Sequence, residues 1–260
     1  MLKRPRGRER LIVAVDVPNL DGAKRLLDRL GDDVDWFKVG LELFTAAGPR
    51  AVELLIEARK LVFLDLKFHD IPNTVGGAVR SAAALGVAML NVHAQGGTAM
   101  MRAAAEAVEG LGEHPRPLVI GVTVLTSLDQ AALEEAGVAR PIEQQVLTMA
   151  ALTHRAGLDG VVASPREAAA IKAAEGPGFL TVTPGVRPAW GVSGAGRGGL
   201  PGVGLGDQRR VLPPGDAVRA GSDYLVVGRP ITAAPDPREA AARVVEEIQV
   251  AEESMGEGRP

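Results

Sequence analysis

Cysteine is absent from all 260 residues, which excludes disulfides, thiolate metal sites and thiol catalysis together. Long apolar runs are missing too. The first apolar run, Leu11 to Val15, is far shorter than a signal-peptide core or a membrane span, and no later one reaches spanning length without charges. Nor does charge of one sign dominate: 29 Lys and Arg against 32 Asp and Glu leave a formal charge of -3, no sign of a nucleic-acid surface. The basic start, Lys3, Arg4, Arg6, Arg8 and Arg10, is too short and too little amphipathic for a transit peptide and reads as a solvated tail over residues 1–10. These absences predict a soluble, cytoplasmic protein.

What is present is an ordinary globular composition, 46% hydrophobic and 23% charged, able to bury one large core. The length suits one domain or two, so the order of elements decides. Short runs rich in Val, Ile and Leu recur with amphipathic, helix-like segments between them, the pattern of parallel strands joined by crossover helices. Eight strands are predicted: Leu11–Asp16, Val34–Gly40, Leu61–Lys67, Val87–His93, Leu118–Val124, Gly160–Ala163, Phe179–Thr183 and Tyr224–Gly228. Eight successive units point to a single closed (β/α)8 TIM barrel over 11–253, with a tail over 254–260, because open doubly wound sheets usually stop at five or six strands.

Polar residues gather at the ends of these strands: Asp16, Lys38, Asp65, Lys67, His93, Ser127 beyond the fifth and Arg229 after the eighth. In a barrel those ends share one rim, where barrel enzymes keep their active sites. The connection from Gly185 to Asp207 carries nine glycines and reads as a mobile lid, 188–206, after the seventh strand.

The densest chemistry lies in Asp65-Leu66-Lys67-Phe68-His69-Asp70. Strand alternation puts Asp65 and Lys67 on one side, which can be the inside of the barrel mouth, while Asp70 falls in the turn before Pro72. A lysine between carboxylates is held as the ammonium; it suits a proton donor, whereas a Schiff-base amine needs the opposite surroundings. A fixed ammonium serves the loss of CO2 from a carbon whose carbanion cannot delocalise, stabilising the charge and then protonating it. A structural ion-pair network is the plainer alternative, but charges aimed into a barrel mouth are costly unless a site uses them. His69, His93, His114 and His154 show no metal-ligand spacing and are left unassigned.

Six motifs, Val13–Asp16, Phe37–Gly40, Asp65–Thr74, Thr183–Arg187, Gly206–Arg210 and Val227–Pro230, together resemble those of the orotidine 5'-phosphate decarboxylase family, in the family's order and spanning residues 11 to 232. The Asp-x-Lys-x-x-Asp core alone is shared with sugar-phosphate decarboxylases and synthases of the same superfamily. The resemblance implies conversion of orotidine 5'-monophosphate to UMP and CO2 with neither metal nor other cofactor, in a homodimer. Lys67 would be the proton donor within a network of Lys38, Asp65, Lys67 and Asp70. Asp70 and Thr74 would be contributed to the partner's site. Asp16 and Lys38 would hold ribose hydroxyls, and Thr126 and Ser127 would meet the pyrimidine. Arg187, Gln208, Gly228 and Arg229 would bind the phosphate side, Gln208 bridging towards the base. The lid is longer and richer in glycine than the usual family loop, so contacts within it are not carried over.

Two rivals stand beside this reading. A magnesium-dependent sugar-phosphate decarboxylase or synthase tends to offer a carboxylate on the second strand, where this chain has Lys38. A catalytically silent barrel that only binds nucleotides would have no reason to keep Asp65, Lys67, Asp70 and Arg229 together.

Overall fold

The computed structural model describes residues 4–110, 115–188, 190 and 210–256. Eight parallel strands close on themselves in sequence order: β1 Leu11–Ala14, β2 Trp36–Gly40, β3 Leu61–Phe68, β4 Met89–His93, β5 Leu118–Val122, β6 Gly160–Val162, β7 Leu180–Thr183 and β8 Tyr224–Val227. Closure is made by β1 against β8, Leu11 opposite Leu225 and Val13 opposite Val227. All eight predicted strands are present, most of them shorter than predicted. Val15 and Val124, placed in strands by their hydrophobicity, lie just past the ladder and are still buried at 1% and 4% exposure. Hydrophobicity reports burial, and burial outlasts the hydrogen-bonded ladder by a residue or two.

Side-chain alternation divides the apolar residues into two cores. Ile12, Trp36, Phe63, Met89, Ile120 and Leu180 fill the barrel, and the opposite faces pack under the helices. The helix Leu20–Leu30 shows why these segments are helical: Asn19 accepts the Gly22 N–H at 2.9 Å at its start, and Ala23, Leu26, Leu27 and Leu30 repeat at helical spacing. Each such leucine contributes roughly 1.5–3 kcal/mol by leaving water. Gly160 is required where β6 meets β7, since a Cβ there would lie 2.3 Å from the Leu180 carbonyl oxygen.

The expectation of a solvated basic tail is corrected. Residues 7–10 form a 3-10 turn docked on the barrel's N-terminal end. Arg10 donates to Glu252 at 2.5 Å and to the Ser222 carbonyl at 2.9 Å, the Gly7 N–H reaches Glu252 at 2.9 Å, and Arg8 pairs with Asp35 at 3.0 Å. The guanidinium groups satisfy carbonyls and carboxylates of that rim, partners up to 242 residues away that a local charge count cannot see. At the same end Lys172 meets the buried Asp223 at 2.5 Å, which also accepts the Thr181 N–H at 2.8 Å. The last helix, Pro237–Gly256, runs past the predicted start of a tail at 254. Among the described residues no helix is long and apolar enough to cross a membrane.

Candidate active site

At the C-terminal ends of the strands the barrel interior changes character. Below, inward positions carry Trp36, Phe63 and Met89; one step up the same alternation supplies Lys38, Asp65 and Asn91. A cavity of about 530 Å³ opens there, with an apolar floor of Ala14, Phe63, Val122, Val162 and Val226.

One wall is a row of charges that alternate in sign. The Lys38 ammonium lies 3.1 Å from Asp16 and 3.4 Å from Asp65, and the Lys67 ammonium donates to the other oxygen of Asp65 at 2.7 Å. Side-chain exposure is 11% for Lys38 and 13% for Asp65, against 30% for Lys67 and 55% for Asp16, so the middle of the row is dry and its ends face the cavity. Gly40 leaves the room this needs: a Cβ there would lie 2.8 Å from the Lys38 Nζ.

Burial by itself would lower the pKa of Lys38, but the Asp65 and Asp16 carboxylates outweigh it and the net shift is upward. For Asp65 burial pushes up, while Lys38, Lys67 and the hydrogen bond from Asn91 pull harder, and the carboxyl is held below its usual range. Both groups therefore stay charged across neutral pH.

Lys67 reaches this row by a route that alternation does not describe. Its φ is +53°, in the left-handed region that costs a non-glycine residue about 1–2 kcal/mol. The β3–β4 register slips there, from Leu64 opposite Leu90 to Phe68 opposite Val92. The sequence reading put Asp65 and Lys67 on one side for the wrong local reason: a bulge turns Lys67 towards Asp65.

The opposite wall follows β5. Thr126 and Ser127 line the cavity, and the backbone before them is held by Arg210, whose guanidinium donates to the carbonyls of Val124 at 3.2 Å and Leu125 at 3.1 Å. Arg210 also ion-pairs with Glu167, which accepts the Ser164 N–H at 2.8 Å. The ends of β7 and β8 complete the cavity with Arg187, Gly228 and Arg229. The Arg187 N–H donates to the Leu212 carbonyl at 3.0 Å, and Gly228 turns the chain into the short helix Arg229–Thr232.

Asp16, Lys38, Asp65, Lys67, Thr126, Ser127, Arg187, Gly228 and Arg229 thus share one cavity. Asp70 and Thr74 are not brought to it within the chain; both are exposed, and Asp70 accepts the N–H of Ile71 at 2.6 Å. Gln208 lies outside the described residues, as does nearly all of the predicted lid. Asn91, Arg210 and Glu167 were missed by sequence reasoning. A polar residue at an inward position of an otherwise apolar strand was the available signal for Asn91.

His93 ends β4 beside Lys67 and stacks on His69 with ring centroids 5.3 Å apart. Burial, then the neighbouring His69 and Lys67, push its pKa down from 6.5 to about 4. Its imidazole is neutral at pH 5 and above. An NMR titration of the four histidines should find one ring still neutral at pH 5 and charging near pH 4; four rings titrating together near 6.5 would contradict this.

The sequence profile of the orotidine 5'-phosphate decarboxylase / HUMPS family matches residues 9–244. An orotidine 5'-phosphate decarboxylase of Moorella thermoacetica is 54% identical over 251 residues, 95% of this chain and 95% of its own. One from Halorhodospira halophila is 54% identical over 245 residues, 94% of this chain and 98% of its own. Among solved structures, the crystal structure of orotidine 5'-phosphate decarboxylase from Lactobacillus acidophilus is similar with a TM-score of 0.79 at 36% identity, over 95% of this chain and 99% of that one.

Proposed function

Since the chain belongs to the orotidine 5'-phosphate decarboxylase / HUMPS family, we propose that it is a carboxy-lyase converting orotidine 5'-monophosphate to UMP and CO2, with Lys67 as the proton donor. The observation that carries the donor assignment is the Lys67 ammonium, 2.7 Å from Asp65 at the cavity end of the charged row. When the bond from C6 of the pyrimidine to the carboxylate breaks, its electron pair stays on C6 and CO2 leaves neutral. The ammonium stabilises that pair and then delivers a proton to it, and the resulting amine regains a proton from solvent.

Asp65 aims the Lys67 ammonium, and Lys38 helps keep Asp65 charged. Asp16 and Lys38 hold ribose hydroxyls, Thr126 and Ser127 meet the base, and Arg187, Gly228 and Arg229 take the phosphate, as suits the loops after the last two strands of a barrel. Gln208 is assigned to bridge phosphate and base on the resemblance alone. In the cytoplasmic homodimer this reading calls for, each chain lends Asp70 and Thr74 to the other's cavity; their exposure within one chain leaves them available for it.

The scheme routes no step through a metal, and Lys38 would repel one from the place where magnesium-dependent relatives offer a carboxylate. Purified protein should consume orotidine 5'-monophosphate with UMP as the identified product, at the same rate with and without EDTA. No turnover would favour the silent barrel, and turnover lost to EDTA the magnesium enzyme.

A further inference from the structure

We infer that Asn91 is a positioning residue that holds Lys67 in place from the neighbouring strand, an inference that rests on reading Lys67 as the proton donor. Between Leu64, opposite Leu90, and Phe68, opposite Val92, three residues of β3 (Asp65, Leu66 and Lys67) face the single Asn91 of β4. Ladder hydrogen bonds cannot serve all three. The Asn91 side chain does the work of the missing ladder: its Oδ1 accepts the Lys67 backbone N–H at 2.8 Å, and its Nδ2 donates to Asp65 Oδ1 at 2.7 Å. That same Asp65 oxygen receives the Lys67 ammonium at 2.7 Å. The amide therefore closes a ring running from Lys67 Nζ through Asp65 and Asn91 back to the Lys67 backbone.

Chemistry fixes both the residue type and its orientation. An N–H can only donate and an ionised carboxylate can only accept, so the atom facing Lys67 must be the oxygen and the atom facing Asp65 the nitrogen. An aspartate would set a second carboxylate against Asp65, and a leucine would leave the Lys67 backbone N–H without its acceptor and take from Asp65 one of its donors. Asn91 has no exposed surface, and it does not line the cavity, so any influence on substrate passes through Lys67 and Asp65. The left-handed backbone at Lys67, unusual for a side chain other than glycine, is the conformation this clamp maintains.

The test compares Asn91→Ala, Asn91→Asp and Lys67→Ala in the full chain, measuring turnover, UMP affinity by calorimetry and cooperative unfolding. For Asn91→Ala, kcat should fall by roughly 10- to 100-fold, the cost of a donor displaced by about 1 Å, while KM and UMP affinity change by less than about 3-fold. Asn91→Asp keeps the acceptor for the Lys67 N–H but creates a pair of carboxylates. With Lys38 from β2, Lys67 from β3 and His93 from β4 as their charged or titratable neighbours, that pair should hold a proton at low pH that restores the donor between them and lose it as the pH rises, so kcat should fall with rising pH through a titration absent from the native protein. A merely structural asparagine would move neither the kcat-to-KM split nor the pH profile.

Native kcat in a folded Asn91→Ala, or an Asn91→Asp profile superimposable on the native one, overturns the inference. Loss of UMP binding and of cooperative unfolding in both variants would assign Asn91 to folding alone and overturn it equally. If Lys67→Ala is inactive while Asn91→Ala is fully active, only this inference falls; if Lys67→Ala is fully active, the donor reading falls with it.

Discussion

Replacing Lys67 with alanine should lower kcat by about four powers of ten or more while UMP still binds. An ammonium about 3 Å from a carbanion, at an effective dielectric near 20, stabilises it by about 5 kcal/mol, nearly four powers of ten in rate. On the proposed mechanism the variant would also lose its proton source, so four powers is the lower bound. The fold should survive, because Lys38 remains 3.4 Å from Asp65 and continues to hold that carboxylate charged. Lys67→Arg separates the two roles: it keeps a cation but cannot give up a proton, and should stay close to the alanine variant. Steady-state turnover of orotidine 5'-monophosphate, with calorimetry on UMP as the binding control, decides it. A Lys67→Ala protein within tenfold of native kcat would remove the lysine from the chemistry.

The barrel was legible because parallel strands covered on both faces need apolar side chains at every position. Val62, Phe63 and Leu64, and likewise Met89 and Leu90, follow one another directly and are all at most 1% exposed, so they advertise themselves without alternation. The strand ends were not legible to the residue, since Val15 and Val124 stay buried after their ladders stop. The docking of Gly7–Arg10 was invisible for another reason: its partners Ser222, Asp223 and Glu252 come from the far end of the chain, and a run of arginines looks the same solvated or docked.

In the site, the charged residues at strand ends could be read because an unpaired charge in an apolar barrel is expensive, and several on one rim imply mutual use. Lys38, Asp65 and Lys67 do meet. What could not be read is what holds them. Asn91 is neutral, sits in the run Met89-Leu90-Asn91-Val92, and matters only because β3 bulges opposite it, a register event no single strand encodes. Arg210, in the segment after β7, and Glu167, in the segment after β6, pair across 43 residues of sequence. Their ion pair is a property of the closed barrel.

The second large effect concerns the far end of the cavity. In the proposed mechanism Lys67 alone would supply about 5 kcal/mol, far short of what a carbanion without delocalisation demands, so contacts remote from C6 would also have to contribute to the transition state. Arg187 and Arg229 line the cavity at β7 and β8, β7 lying across the closed barrel from the β3 that carries Lys67, and in the proposed mechanism they grip the phosphate while the base lies against Lys67. Arg229 is exposed at the mouth of the cavity, and a bound phosphate would bury its contact; truncating one partner of a charge-assisted pair buried in that way costs roughly 2–5 kcal/mol. Arg229→Ala should therefore lower kcat/KM by roughly two to three powers of ten, with kcat itself reduced if the grip tightens as the reaction proceeds. The informative control is orotidine, the same substrate without its phosphate. Native and Arg229→Ala protein should turn it over equally slowly, since the contact removed from the protein is already missing from the substrate. An Arg229→Ala variant within threefold of native kcat/KM on the nucleotide would confine catalysis to the pyrimidine end, and an equal loss on orotidine would mean that Arg229 shapes the cavity instead of gripping the phosphate.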